Sequence, residues 1–143
     1  MSGIFAQQIA ALPWRWRGGR LEILLITSRE SRRWVIPKGW PMPRLIASNA
    51  AKREAYEEAG VDGAIRRAAI GRYTYEKRAK SGSSRACVVT VFALGVAREH
   101  RTWPEHRERT RRWCPVDEAA DLVDEAELRA IIRAFAAHGP RGR

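Results

Sequence analysis

Glu54, Glu57 and Glu58 stand at i, i+3 and i+4 in the run Lys52-Arg53-Glu54-Ala55-Tyr56-Glu57-Glu58-Ala59-Gly60-Val61. If the run is helical, about 100° per residue brings all three carboxylates onto one side. Gly60 reads as the helix stop, so the glutamates occupy the last turns. That end carries the negative pole of the macrodipole, and clustered carboxylates oppose it. Helix stability gives no reason for them; a bound cation does. Glutamates without histidine or cysteine make an all-oxygen ligand set, which suits Mg²⁺ or Mn²⁺ over zinc. Such a cation polarises a phosphoryl oxygen, lowers the pKa of bound water and offsets charge on a leaving phosphate. The competing reading is a solvated acidic face, with Arg53 and Glu57 as an ordinary i, i+4 ion pair. Ala47, Ala50 and Ala51 lie on the same side one and two turns earlier. Such small residues allow close approach to other backbone and favour a groove.

Extended backwards, the stretch is Gly39, thirteen residues, then Arg53-Glu54-Ala55-x-Glu57-Glu58-x-Gly60-Val61. This resembles the Nudix box, glycine-x5-Glu-x7-Arg-Glu-apolar-x-Glu-Glu-x-Gly-apolar, with eight of nine specified positions in register. Leu45 stands where the pattern has its first glutamate. In that family the metal ligands come mainly from the Arg-Glu-x-x-Glu-Glu part. The resemblance therefore implies Glu54, Glu57 and Glu58 as catalytic, metal-binding residues, with the Gly39 carbonyl completing the site. Leu45 is expected to alter the loop and leave the chemistry intact. A general base is left open among Glu54 and the loop carboxylates Glu99 and Glu105.

The likeness narrows towards the diphosphoinositol polyphosphate phosphohydrolase branch. Its carriers are Ser28-Arg29-x-x-x-Arg33-Trp34-Val35-Ile36-Pro37 before the box and Arg85 at the head of a valine-rich strand. Glu99, Trp103, Glu105, Arg111-Arg112-Trp113 and Val116-Asp117-Glu118-Ala119 follow in the same order. Two departures stand out. Lys38-Gly39-Trp40 replaces an all-glycine run, and Phe5, Ala6, Gln7 and Gln8 replace basic residues around the first strand. Resemblance and charge together point to Ser28, Arg29, Lys38, Arg78, Lys80 and Arg85 as donors to substrate phosphates, since arginine offers bidentate contacts and lysine a point charge. Arg111 and Arg112 alternate along a strand and are expected to divide between solvent and site. Trp40, beside Gly39, is a candidate cover for a substrate ring; the other strand-borne tryptophans read as half-buried sheet residues. His100, His106 and His138 receive no role.

The whole chain sets the partner class. Lys plus Arg number 27 against 16 Asp plus Glu in 143 residues, a net charge of +11. That excess calls for a polyanionic partner. A 143-residue chain with 45% hydrophobic content fits one domain with a single core. The longest aliphatic run, Ile23 to Ile26, is too short to span a bilayer, and the first residues lack a signal peptide's basic region. Cys87 and Cys114 are isolated and read as buried thiols, consistent with a reducing cytoplasm.

These residues need a scaffold. Strands are expected over Ile4–Trp16 and Leu21–Thr27 around Gly18-Gly19, then over Trp34–Pro37. The acidic helix covers Ile46–Ala59. Ala64–Lys77 reads as extended, Lys77–Arg85 as a basic loop, and Cys87–Ala97 as a central strand buried on both faces. A polar loop, Arg98–Thr110, leads to a strand at Arg111–Val116 and helices near Asp117–Leu122 and Glu125–Ala137. The resemblance implies an α/β (α+β) Nudix fold, a mixed β-sheet sandwiched between helices, as a single domain over 1–143 with 139–143 a flexible tail. It further implies a Mg²⁺-dependent hydrolase of a phosphoanhydride in a diphosphoinositol or diadenosine polyphosphate. ADP-ribose or another nucleoside diphosphate is the alternative within the enzyme class. A nucleic-acid-binding module weak in turnover is the alternative outside it, permitted by the charge and six tryptophans but lacking any recognised nucleic-acid motif.

Overall fold

The computed structural model describes residues 5–78 and 81–140, so Ile4, the expected start of the first strand, Lys80 and the last three residues lie outside what is described. Eight strands make one mixed sheet: β1 (Ala6–Arg17), β2 (Arg20–Thr27), β3 (Trp34–Val35), β4 (Lys38–Gly39), β5 (Val61–Ile65), β6 (Gly71–Arg78), β7 (Ser84–Glu99) and β8 (Arg111–Pro115). The spine is the parallel pair β1/β7, in register from Ala6 opposite Cys87 to Trp14 opposite Gly95. Every other pairing is antiparallel: β2 and β4 on β1, β5 and β6 on β7, β3 and β8 on β2.

Side chains alternate across a strand, so a strand apolar on both sides supplies two cores. Ala10, Leu12, Ile23, Leu25, Val91 and Ala93 face one layer, where α2 (Val116–Leu122) and α3 (Ala126–His138) add Leu128, Ile131, Ile132 and Phe135. Their neighbours Ile9, Ala11, Leu24, Ile26, Phe92 and Leu94 face the other, covered by α1 (Ala47–Glu54) through Ala50 and Ala51. The expected sandwich of a mixed sheet between helices is therefore the observed architecture. Cys87 and Cys114 are both buried free thiols.

Three expectations are corrected. Ala64–Lys77 is not one extended segment. β5 pairs with the second half of β7 and β6 with the first, and residues 66–70 step between them along the same edge. The basic loop is shorter than Lys77–Arg85, because Lys77 pairs with Arg85 and Arg78 with Ser84 in the β6/β7 hairpin. The acidic helix is α-helical only to Glu54 and ends as a π-helical turn, Ala55–Ala59. The turn closes at Gly60, whose φ of 69° is the left-handed conformation of a helix C-cap.

Candidate active-site cleft

β1 sets the floor of the site. Ile9 and Ala10 pair with Gly39 and Lys38, and this fixes the β4 backbone against the acidic helix. A Cβ on residue 39 would lie 2.2 Å from Glu54 Oε2, so only glycine admits the carboxylate there. Next to it, Glu58 Oε1 accepts a hydrogen bond from the Lys38 N–H at 3.2 Å. Glu54 and Glu58 lie against each other. Burial first, then the charges of Glu58 and Glu57, push the Glu54 carboxyl up to about 8. Burial also raises Glu58, outweighing the opposing pull of Arg109.

Glu57 is placed differently from the expected trio. Its Oε2 pairs with Arg53 Nε at 3.1 Å on the more exposed side of the helix. The π turn supplies the reason, because a wider turn brings i+4 towards eclipse and carries i+3 away. Glu54 and Glu58 thus converge while Glu57 stands aside. Among the described residues, no three acidic, histidine or cysteine side chains are grouped as a ready coordination sphere. Of the alanines expected on this face, Ala50 and Ala51 are buried against the sheet and Ala47 is exposed.

The cleft above these groups has a volume of about 680 Å³. Ser28, Arg29, Lys38 and Arg78 line it, together with Gly39, Glu54, Glu57 and Glu58. Lys38 is packed over Tyr75, its Nζ 4.8 Å from the ring centroid, and burial lowers its pKa. Arg29 pairs with Glu108 at 3.1 Å. Arg85 does not line the cleft; its guanidinium lies 6.0 Å from the centroid of Trp40, which does. Of the loop carboxylates, Glu105 reaches the cleft, whereas Glu99 accepts from Arg15 and Trp113 and does not line it.

Arg109 was not singled out by sequence reasoning. Its side chain, 8% exposed, sends Nη2 to Glu58 Oε2 at 3.3 Å, Nε to Glu105 Oε1 at 2.7 Å and Nη1 to the Thr27 carbonyl at 3.0 Å. The one available signal was its i, i+4 spacing from Glu105, ambiguous in a segment so rich in charge. Nor does Arg111 divide between solvent and site with Arg112. It donates to the Ala59 carbonyl at 2.9 Å and the His100 carbonyl at 2.7 Å, with the Trp103 ring centroid 4.1 Å away. A cation there satisfies orphan carbonyls at the helix's negative end. Trp103 Nε1 adds a bond to the Glu58 carbonyl at 3.0 Å, and the Glu105 N–H one to the Glu57 carbonyl at 3.1 Å. Arg112 pairs with Glu118 instead.

A carboxylate helix end seated on a glycine strand, beneath a cleft in a mixed sheet, defines the class. The chain belongs to the Nudix family, whose NUDIX domain profile matches residues 7–135. Among individual relatives, Nudix hydrolase 12, mitochondrial, of Arabidopsis thaliana is 39% identical over 122 residues, covering 81% of this chain and 59% of the relative. Diphosphoinositol polyphosphate phosphohydrolase 3-alpha of Mus musculus is 31% identical over 105 residues, covering 71% of this chain and 60% of the relative. The chain thus spans about three-fifths of the length of these relatives. In three dimensions it is similar to a C. elegans Ap4A hydrolase binary complex, with a TM-score of 0.68 and 26% identity over 93% of this chain and 96% of that one. No helix among the described residues is long and apolar enough to cross a membrane.

Proposed function

We propose that this chain is a divalent-metal-dependent hydrolase that cleaves a phosphoanhydride bond in a phosphate-rich small molecule. The candidates are a diadenosine polyphosphate and a diphosphoinositol polyphosphate. The observation that carries the reading is the meeting of Glu54, Glu58 and the Gly39 backbone at the base of a cleft that cationic side chains also line. Crowded, half-buried carboxylates are costly unless a cation joins them, and the donors are all oxygen, so the residues fit Mg²⁺ or Mn²⁺. Glu54, Glu58 and the Gly39 carbonyl would hold the ion, with Glu57 joining if its pair with Arg53 opens. When bound, the ion supplies Lewis-acid polarisation of a phosphoryl oxygen and activation of water.

The protein's own groups do the rest. Ser28, Arg29, Lys38 and Arg78 are assigned to binding and orienting the phosphates; Lys80 is retained from sequence alone. Arg85 is reassigned from direct phosphate contact, since it sits beside Trp40 at the rim. Glu105, held by Arg109 at the cleft, is the better-placed proton acceptor of the two loop carboxylates. Two buried free thiols support a reducing compartment, and the cytoplasm is the proposed one.

The test is a phosphate- and nucleotide-release screen with and without Mg²⁺, over diadenosine tetraphosphate, an inositol pyrophosphate, ADP-ribose and capped RNA. Metal-dependent turnover of either of the first two is the expected result. Turnover of ADP-ribose alone moves the substrate to the nucleoside diphosphates. Salt-dependent RNA binding with no metal-dependent hydrolysis overturns the enzymatic reading.

A further inference from the structure

The geometry points to Trp40 as a stacking platform for a nucleobase, which makes the substrate a nucleoside polyphosphate in preference to an inositol pyrophosphate. This rests on the cleft being the substrate site, as proposed above. Two observations carry it independently.

The first is the tryptophan itself. Trp40 is 44% exposed while lining the cleft, next to the glycine on which Glu54 rests. An indole is among the largest apolar surfaces a chain can leave in water, and its flat face suits any base. The loop that presents it is anchored. Met42, two residues on, packs against the core cluster under the acidic helix, and the Leu45 N–H closes a turn onto the Met42 carbonyl at 3.2 Å. Pro41 and Pro43 flank Met42 and restrict the backbone further. A loop held this way loses little backbone freedom when a base stacks on the ring it presents. Arg85, 6.0 Å from the indole centroid, places a guanidinium beside the same ring.

The second is charge. Despite the +11 of the whole chain, the described residues lining the cleft comprise six cationic side chains and six carboxylates, and with Glu54, Glu57 and Glu58 given to the metal ion, Glu30, Glu76 and Glu105 still stand against the cations. Two of those cations are already engaged, Arg33 with Asp124 and Glu125 and Arg109 with Glu58 and Glu105. A ring bearing a phosphate on nearly every carbon would need a strongly cationic enclosure to offset its charge. A short polyphosphate chain joined to a base needs only a metal ion, a few donors and one aromatic face.

The test compares wild type with Trp40→Ala and Trp40→Phe on diadenosine tetraphosphate, inorganic tripolyphosphate and an inositol pyrophosphate. Trp40→Ala is expected to raise KM for the dinucleotide about tenfold, with kcat within about twofold, and to leave KM for base-free phosphates unchanged. Trp40→Phe should restore most of the affinity. Equal KM effects on all substrates, or a wild-type preference for the inositol pyrophosphate, overturn the inference. A second readout separates it from the hydrolytic reading. Titrating adenosine nucleotide in EDTA should quench wild-type tryptophan fluorescence more than that of Trp40→Phe. Quenching without turnover would leave the platform standing and remove the hydrolase; turnover with no difference between wild type and the Trp40 variants would do the reverse.

Discussion

Glu58 Oε2 lies 3.3 Å from Arg109 Nη2, with the two side chains only 12% and 8% exposed. The contact joins the acidic helix to the loop that enters β8, and Arg109 extends it to Glu105. One guanidinium thus holds a proposed metal ligand and a proposed proton acceptor in fixed relation. It also stands where a second positive charge, a divalent cation, is expected a short distance away. Arg109 therefore supports the metal-free fold and the arrangement of the site at once.

Replacing Arg109 by alanine strands two carboxylates in a poorly solvated place. Breaking a buried ion pair by removing one partner costs roughly 3 kcal/mol. Chemical denaturation without metal should show a loss of about that size. Saturating Mg²⁺ should recover part of it, because the ion replaces some of the lost positive charge. A loss unchanged by Mg²⁺ would mean that Arg109 acts on the fold alone.

Gly39→Ala is a narrower probe. The new Cβ would meet Glu54 Oε2 at 2.2 Å, a separation that real atoms do not adopt, so the carboxylate must move. Its target is a flexible side chain and not backbone, so the fold should survive with a Tm shift of a few degrees at most, about that of 1 kcal/mol or less. Turnover should fall at least about a hundredfold, roughly 2.7 kcal/mol of barrier. Steady-state kinetics beside a melting curve separates the two effects; normal turnover would remove Gly39 and Glu54 from the site.

Much of this was legible in the residues, for definite reasons. The apolar run Cys87–Ala97 predicts a strand in mid-sheet, where β7 lies, but both faces are buried only over Val91–Leu94, while Val88 and Thr90 are half-buried and Ala97 is exposed. The Glu-x-x-Glu-Glu spacing with Gly60 marked the helix end. What was missed depended on contacts distant in sequence. The break between β5 and β6 was hidden because Ile65, Ile70, Tyr73 and Tyr75 supply apolar positions on both sides of it, with no glycine or proline over 66–70 to mark a turn. The π turn that parts Glu57 from Glu58 changes no residue preference that a reader of sequence can see. Arg109 and Arg111 looked like two more charges in a polar loop, and only the packing of that loop under the helix end gives them separate tasks.

Glu57→Gln and Glu58→Gln should part company in stability and agree in activity. Each is expected to cut turnover about a hundredfold or more, or roughly 2.7 kcal/mol. Glu57 is linked to Arg53 by a pair open to solvent, so its replacement should leave the melting temperature nearly unchanged. Glu58 is packed against Glu54, Arg109 and the Lys38 N–H, and its replacement should shift the metal-free melting temperature and abolish the further shift on adding Mg²⁺. Near-normal turnover of both variants would sink the ligand assignment.

Leu45→Glu addresses the one position where the chain departs from the family's box. Leu45 is 37% exposed and lies outside the cleft, lining a separate hollow with Arg53, Tyr56 and Glu57. A carboxylate placed there would compete with Glu57 for the Arg53 guanidinium. Glu57 would then be freer to turn towards Glu54 and Glu58, and metal affinity should rise by a fewfold while maximal turnover stays within about threefold, under 1 kcal/mol. A Mg²⁺ titration of activity in wild type and variant reads both numbers. If the half-saturating concentration instead rises, Leu45 supports the site by packing alone, and the Arg53–Glu57 pair has no bearing on how readily the site takes its ion.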